Sequence, residues 1–421
     1  MVVPDPVAEA RGILRKLPRD AVVVTTMQSV ADLATQSGRQ ALLHCSDFDD
    51  YHDLRDNWSA LTRRAKDAYV LGPKWLCDAV AHFCQIVGIN RETSMRRTRR
   101  WAEHLLRNLP LLAEVPHAMQ AGAFEGLTAF IVGAGPSLDK NAEHLDAARG
   151  LILAINSASL AASCDGVVCI ESNDLSQKLA LAPTQLLSLT SPPHVLQARR
   201  DKLRPIWAGE IAWVVEALTG VDRLLTSGGA TTSAISLAHL WGCTRIVLVG
   251  QDLAFTGGRV YAERTGFDDT IGRDGVYHWG RSLELDRPGN PLPEAEEFSV
   301  IPAWGGVGKV ASGLGQMAQR HWLAAYAETF PELELVNATE GGGTIPGWRE
   351  EPLADLVTDG AALQGDIHER LDDGDTVPRA RVEAWLTEQA PDALAQVWAF
   401  GEVAAIADKH RTRPPSRWPF V

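Results

Sequence analysis

Apolar runs that alternate with helix-patterned segments predict an α/β protein whose main domain is a Rossmann-like, mostly parallel sheet with helices on both faces. Three observations carry this. The runs AFIVGAG, LILAIN, GVVCIES, QLLSLT, EIAWVVEA and TRIVLVGQD follow one another from Leu127 onward, separated by helical segments. Within that series, SGGATTSAISLAHLWG has a hydroxyl-rich first turn, an apolar face at Ile235, Leu237, Ala238 and Leu240, and Gly242 to end it in the left-handed conformation. Finally, FIVGAGPSLD at Phe130 to Asp139 couples an apolar strand to a glycine turn and a helix starting near Leu138, the outline of a phosphate-binding strand-turn-helix unit.

In chain order, residues 1–125 read as a small α/β cap, with strands at Ala21 to Thr26 and Ala41 to His44 followed by helical periodicity through Leu112. Residues 126–350 form the central domain. A long Gly-, Pro- and charge-rich insertion over 255–303 interrupts it, of a length that marks function or disorder, and suits a lid. A last strand, LELVNATEGGG from Leu333, turns through three glycines. Residues 351–421 read as a C-terminal helical region of amphipathic helices before a proline-rich end.

Composition narrows the class of protein. At 421 residues the chain suits two or three domains, with 45% hydrophobic and 22% charged residues as in soluble globular proteins. No run approaches the roughly 18 apolar residues of a membrane span, and no secretory signal precedes the first acidic residues, which points to the cytoplasm. Cys45, Cys77, Cys84, Cys164, Cys169 and Cys243 lack metal-ligand spacing and suit buried free thiols. A net charge of −13 argues against general nucleic-acid binding. The basic cluster Arg96, Arg97, Arg99 and Arg100 is then a solvated helix face or a contact for an anionic partner.

Several polar residues fall just past strand ends, where open α/β sheets bind ligands: Gly133, Ala134, Gly135, Pro136 and Ser137; Asn156; Glu171, Ser172 and Asn173; and Gln251 with Asp252. The glycines either let backbone N–H groups approach a phosphate or only make a tight strand-to-helix turn. Leu138 stands where a dinucleotide fingerprint would have its third glycine, which weakens an NAD or FAD reading. Asn156 can read a nucleobase edge or ribose, or shape a strand-end turn. Thr226, Ser227, Gly228 and Gly229 can cradle a second anion or serve as a helix cap. The insertion adds Tyr261, Tyr277 and His278, with His278 the candidate general base and the tyrosines candidate phosphate contacts. No Walker lysine, nucleophile elbow or zinc-protease motif is present.

The stretches VGAGPSLDKN, TSGGATTSAISLAHLWGCTRIVLVGQDLAFTGGRVYAE and VNATEGGGTIPG resemble those of the bacterial motility accessory factor (Maf) family, whose central domain is related to archaeal 6-hydroxymethylpterin diphosphokinases (MptE-like). The Gly-Pro-Ser turn, the strand-end asparagine and the Thr-Ser-Gly helix start are also similar to bacterial sialyltransferases, with Ala134 where those have asparagine. The resemblance implies a flagellin glycosyltransferase that moves a nonulosonic acid of pseudaminic, legionaminic or sialic type from a CMP donor to Ser or Thr hydroxyls of flagellin or a similar surface protein.

It further implies that Gly133, Gly135, Pro136 and Ser137 line the nucleotide phosphate, that Asn156 and Asn173 contact cytidine and ribose, and that Thr226, Ser227 and Gly228 complete the cleft. Tyr261 and Tyr277 would then bind the phosphate and His278, or a carboxylate such as Asp252, deprotonate the acceptor. That reaction requires no cofactor beyond the CMP-sugar. The alternatives are diphosphate transfer from ATP to a pterin, with Asp252, Asp139 or Glu171 holding Mg²⁺, and a non-catalytic binding protein of the same fold.

Overall fold

A computed structural model of the chain describes residues 6–17, 22–25, 27–43, 68–71, 97–171, 183–265, 270–271, 277–278, 299–372 and 376–389. The chain divides into two compact units, residues 1–92 with 409–421, and residues 93–408.

In the first unit β1 (Val22–Thr25) lies between β2 (Gln40–Leu43) and β3 (Ala68–Leu71), all parallel. Helices Pro6–Leu14 and Gln28–Gln36 accompany them, and Leu14, Val23 and Ala34 pack together. Strands β1 and β2 are the two that the sequence predicts; β3, a bare AYVL run, is an addition.

The second unit begins before the expected boundary at 125. A helix over 97–108 and the turn Leu109–Ala113 place Leu105, Leu109 and Leu112 in its core. The sheet starts at its centre with β4 (Thr128–Val132), then steps outward through β5 (Leu151–Ile155), β6 (Gly166–Cys169) and β7 (Thr184–Leu187). The chain then returns to the other side of β4 as β8 (Arg245–Val249). Two antiparallel pairs follow, β9 (Thr270–Ile271) with β10 (Tyr277–His278) and β11 (Ser299–Pro302) with β12 (Lys309–Ser312). Strands β13 (Glu334–Asn337) and β14 (Arg349–Glu350) complete the sheet in the order β14-β13-β8-β4-β5-β6-β7.

All six ladders of this sheet are parallel. Parallel strands are buried on both faces, and here successive residues divide between two cores. Ala129 and Ile131 face one that includes Trp207, Trp241 and the helix Ala230–Leu240. Phe130 and Val132 face the other, with Leu138, Leu145, Leu353 and Leu356. Strand order reverses between β4 and β8, which makes their carboxyl ends the switch point where doubly wound sheets bind ligands.

The expected helix in SGGATTSAISLAHLWG is Ala230–Leu240, followed by Gly242 at φ 82°. EIAWVVEA, counted among the strand candidates, is instead a 3₁₀ turn at Glu210–Ala212 running into the helix Trp213–Thr219, which Gly220 closes at φ 77°. Val214, Val215 and Leu218 supply a buried helical face that a short apolar run does not distinguish from a strand. In the tail, the short helices Leu353–Leu356 and Ile367–Arg370 precede Arg379–Glu388, whose Val382 and Trp385 are buried; beyond 389 the expected helices lie outside the described residues.

Cys169 and Cys243 are buried free thiols and Cys164 is half-buried; Cys45, Cys77 and Cys84 lie outside the described residues. Burial pushes the Cys169 and Cys243 thiols up to about 12. Among the described residues no helix is long and apolar enough to cross a membrane.

Candidate functional site

The segment after β4, Gly133 to Ser137, leads into the short helix Leu138–Asn141 and lies against the segment that follows β8. Both turn glycines are required by protein contacts. A Cβ on Gly133 would sit 2.1 Å from Gln251 Nε2, and one on Gly135 would sit 2.2 Å from Asp252 Oδ2 and 2.7 Å from the Gly250 carbonyl oxygen. The amides point the same way: Gly133 N–H donates to Val249 O at 2.7 Å and Gly135 N–H to Gly250 O at 2.8 Å. The expectation that these amides cradle a phosphate therefore gives way to the tight-turn reading, because the donors are committed to the neighbouring strand's end.

Asp252 organises this junction. Its carboxylate accepts from Ser137 Oγ and Thr256 Oγ1, each at 2.6 Å, and from the Ser137 N–H at 3.3 Å. Its backbone carbonyl accepts from Gly343 N–H at 2.8 Å, and a Cβ on Gly342 would sit 2.0 Å from it, which leaves no room for a side chain there. Only 2% of Asp252 is exposed, and burial raises its pKa against the pull of its hydrogen-bond donors. Asp252 was a candidate acceptor base; with both oxygens engaged and no access to solvent, it is an internal staple joining β4, β8 and β13. Ser137, expected at the phosphate, is the staple's other half.

Gln251 is buried as well. Its N–H donates to Thr339 Oγ1 at 3.2 Å, and its Oε1 faces Thr231 Oγ1 at 3.4 Å in the first turn of Ala230–Leu240. Ahead of that helix, Thr226 Oγ1 contacts Thr232 Oγ1 at 2.9 Å and accepts from Gly228 N–H at 3.0 Å and Ser233 Oγ at 3.1 Å. The Thr226 hydroxyl is thus tied into the hydroxyl network ahead of the helix rather than being a free ligand. Half-buried Ser227 and exposed Gly228, at φ 92°, remain at the surface of this turn. The helix runs back from the carboxyl edge of the sheet, so the positive end of its dipole lies at that edge.

Asn156 ends β5 in the left-handed region at φ 48°, and its buried Oδ1 has no hydrogen-bond partner among the described residues. Leu253 and Glu340 are the other two non-glycine residues described with positive φ, so all three follow carboxyl ends of strands of one sheet. Such backbone strain costs on the order of 1–3 kcal/mol per residue and gathers at functional sites.

Residues Phe255 to Thr265, the root of the expected insertion, fold back onto the turn. Ala262 N–H donates to Ala134 O at 2.8 Å, Arg259 Nη1 to Asp139 Oδ2 at 2.9 Å and Glu263 N–H to Asp139 Oδ1 at 2.9 Å. The turn Glu263–Thr265 packs on Asn156–Leu160, so Tyr261, half-buried, is carried by a segment anchored to both predicted elements. The structure describes Tyr277 and His278 only as backbone, and Ser172 and Asn173 lie outside the described residues. Glu171, just past β6, donates its N–H to Cys169 Sγ at 3.5 Å. Thr231, Thr256 and Thr339 are structural partners that the sequence did not single out, since hydroxyls in loops carry no distinctive spacing.

A parallel sheet whose strand order reverses at its centre, with a strained, polar carboxyl edge, defines the doubly wound class of α/β protein. Residues 103–258 match the family described as 6-hydroxymethylpterin diphosphokinase MptE-like, so the first five strands of the large sheet constitute an MptE-like region. A solved structure of MAf glycosyltransferase from Magnetospirillum magneticum AMB-1 is similar over 96% of this chain, with a TM-score of 0.50 and 13% identity. The chain spans 66% of that protein's length, and the likeness is one of fold. No curated protein matches the sequence.

Proposed function

We propose that this chain is a glycosyltransferase that moves a nonulosonic acid from a CMP donor to Ser or Thr hydroxyls of flagellin or a similar surface protein. The observation that carries the reading is Asn156. A strained strand-end asparagine whose buried carboxamide oxygen has no partner among the described residues, beside the switch point, is an acceptor waiting for a donor, and the cytosine amino group or a ribose hydroxyl supplies one. The resemblance of the Gly-Pro-Ser and Thr-Ser-Gly stretches to CMP-using transferases, and the fold shared with the MAf glycosyltransferase, support the same assignment.

In this reading the dipole at the start of Ala230–Leu240 and the Ser227–Gly228 turn face the donor phosphate, and Tyr261 adds a hydroxyl to the leaving CMP. The acceptor hydroxyl attacks the anomeric carbon directly and passes its proton to His278. Asp252 takes no part in proton transfer. A diphosphokinase acting on a pterin is the second reading, favoured by the family match. Mg²⁺ would need free carboxylates, yet Asp139 and Asp252 both have their oxygens engaged by protein donors, which leaves Glu171 among the three candidates.

Calorimetric titration with CMP and with ATP, each with and without Mg²⁺, separates the two. Metal-independent CMP binding is expected. Asn156→Gly removes the carboxamide while relaxing the left-handed backbone, so it should fold normally and bind CMP about tenfold more weakly, equivalent to ~1.4 kcal/mol. Unchanged CMP affinity in this variant, or binding of ATP alone with Mg²⁺, would overturn the reading.

A further inference from the structure

We infer that Asp139 is a positioning residue of the transfer site, holding the root of the insertion on the turn after β4 so that Tyr261 meets the nucleotide; this rests on the reading above. Asp139 sits in the helix Leu138–Asn141, one turn beyond Gly135, and each of its oxygens has a different task. Oδ2 takes the Arg259 guanidinium at 2.9 Å, and Oδ1 takes the Glu263 N–H at 2.9 Å. These two donors bracket Tyr261 and Ala262 in sequence. Ala262 is fully buried and bonds to Ala134 O at 2.8 Å, and Thr265 Oγ1 locks back onto Ala262 O at 2.6 Å.

Segment 259–265 is therefore fixed at three points around one tyrosine. In the sequence, the candidate base His278 follows this root by thirteen residues. The Asp139–Arg259 pair is partly exposed, and partly exposed pairs contribute little to global stability. Its effect falls on local geometry instead: without the carboxylate, Arg259 and the Glu263 amide lose their common acceptor and Tyr261 loses its fixed approach to the turn.

Two measurements on the full chain test this. Hydrogen exchange should show the Ala262 and Glu263 amides protected in the wild-type protein, further protected by CMP, and exchanging at least tenfold faster in Asp139→Asn. Calorimetry should show Asp139→Asn and Arg259→Ala each binding CMP about tenfold more weakly while their Tm stays within a few degrees of wild type. Asp139→Glu, which keeps the charge, should recover part of the affinity.

Faster exchange with unchanged CMP affinity would make the clasp purely structural and overturn the inference. Unchanged exchange would remove the clasp itself. Wild-type protein that binds no CMP would overturn the functional reading and the inference with it, while the exchange data would still report separately whether Asp139 holds the segment.

Discussion

Replacing Asp252 by alanine strands three donors at once. The Ser137 and Thr256 hydroxyls, 2.6 Å from the carboxylate, can rotate toward other acceptors, but the Ser137 N–H, at 3.3 Å, is fixed by the backbone. A buried donor left unpaired costs roughly 1–3 kcal/mol, so the alanine variant should lose about 3–5 kcal/mol in urea unfolding. Asparagine keeps the volume and one acceptor, and removes a charge whose burial is unfavourable. It should fall within about 1 kcal/mol of wild type at neutral pH.

The two variants also differ in pH response. Burial favours the protonated carboxyl, so the folded chain holds this proton to higher pH than the unfolded chain. The stability this group contributes is complete below the ordinary aspartate value of 3.8 and is lost as pH rises through the raised folded value. The advantage of wild type over Asp252→Asn should accordingly shrink with rising pH across that window. An alanine variant as stable as wild type, or an asparagine variant as damaged as alanine, would refute the staple. So would an asparagine variant of normal stability that binds CMP normally yet transfers nothing.

Two further outcomes follow from the packing. Gly135→Ala should cost about 3 kcal/mol or more, since overpacking against backbone and a buried carboxylate cannot be relieved by a rotamer change, whereas Gly229→Ala, whose nearest neighbour would be 3.7 Å away, should be tolerated; equal stability of the two in urea would contradict this. Peptide-resolved alkylation at pH 8 should leave Cys169 and Cys243 unmodified in the folded protein and label them after denaturation, because thiols held near 12 carry almost no thiolate.

The large sheet was legible because parallel strands must be apolar on both faces: TAFIV, LILAI and RIVLV have few other uses in a chain of this composition. Strand β14, only Arg349 and Glu350 at an edge, has no such signature, and Trp213–Thr219 has an apolar spacing that fits either period. The candidate residues were legible as neighbours but not as a set of roles. Its turn, Asn156, Gln251 and the start of Ala230–Leu240 do meet at one edge. Yet a glycine that admits a phosphate and one that admits another strand's side chain read alike in sequence, and the second use prevails at Gly133 and Gly135. Asp252 misled for a related reason, since sequence records that a carboxylate is present and not whether solvent can reach it.

The staple joins residues 133–137, 250–256 and 339–343, three stretches far apart along the chain. The region matched by family ends at residue 258, before β13 and β14 and before the glycines that cover Asp252. A fragment cut at that limit would present β8 as an open edge, ready to pair with another copy, and would bare the carboxylate to water. It would also begin at residue 103, midway through the helix over 97–108. The matched region is thus smaller than the compact unit that contains it, and expression boundaries for this unit belong near residues 93 and 408.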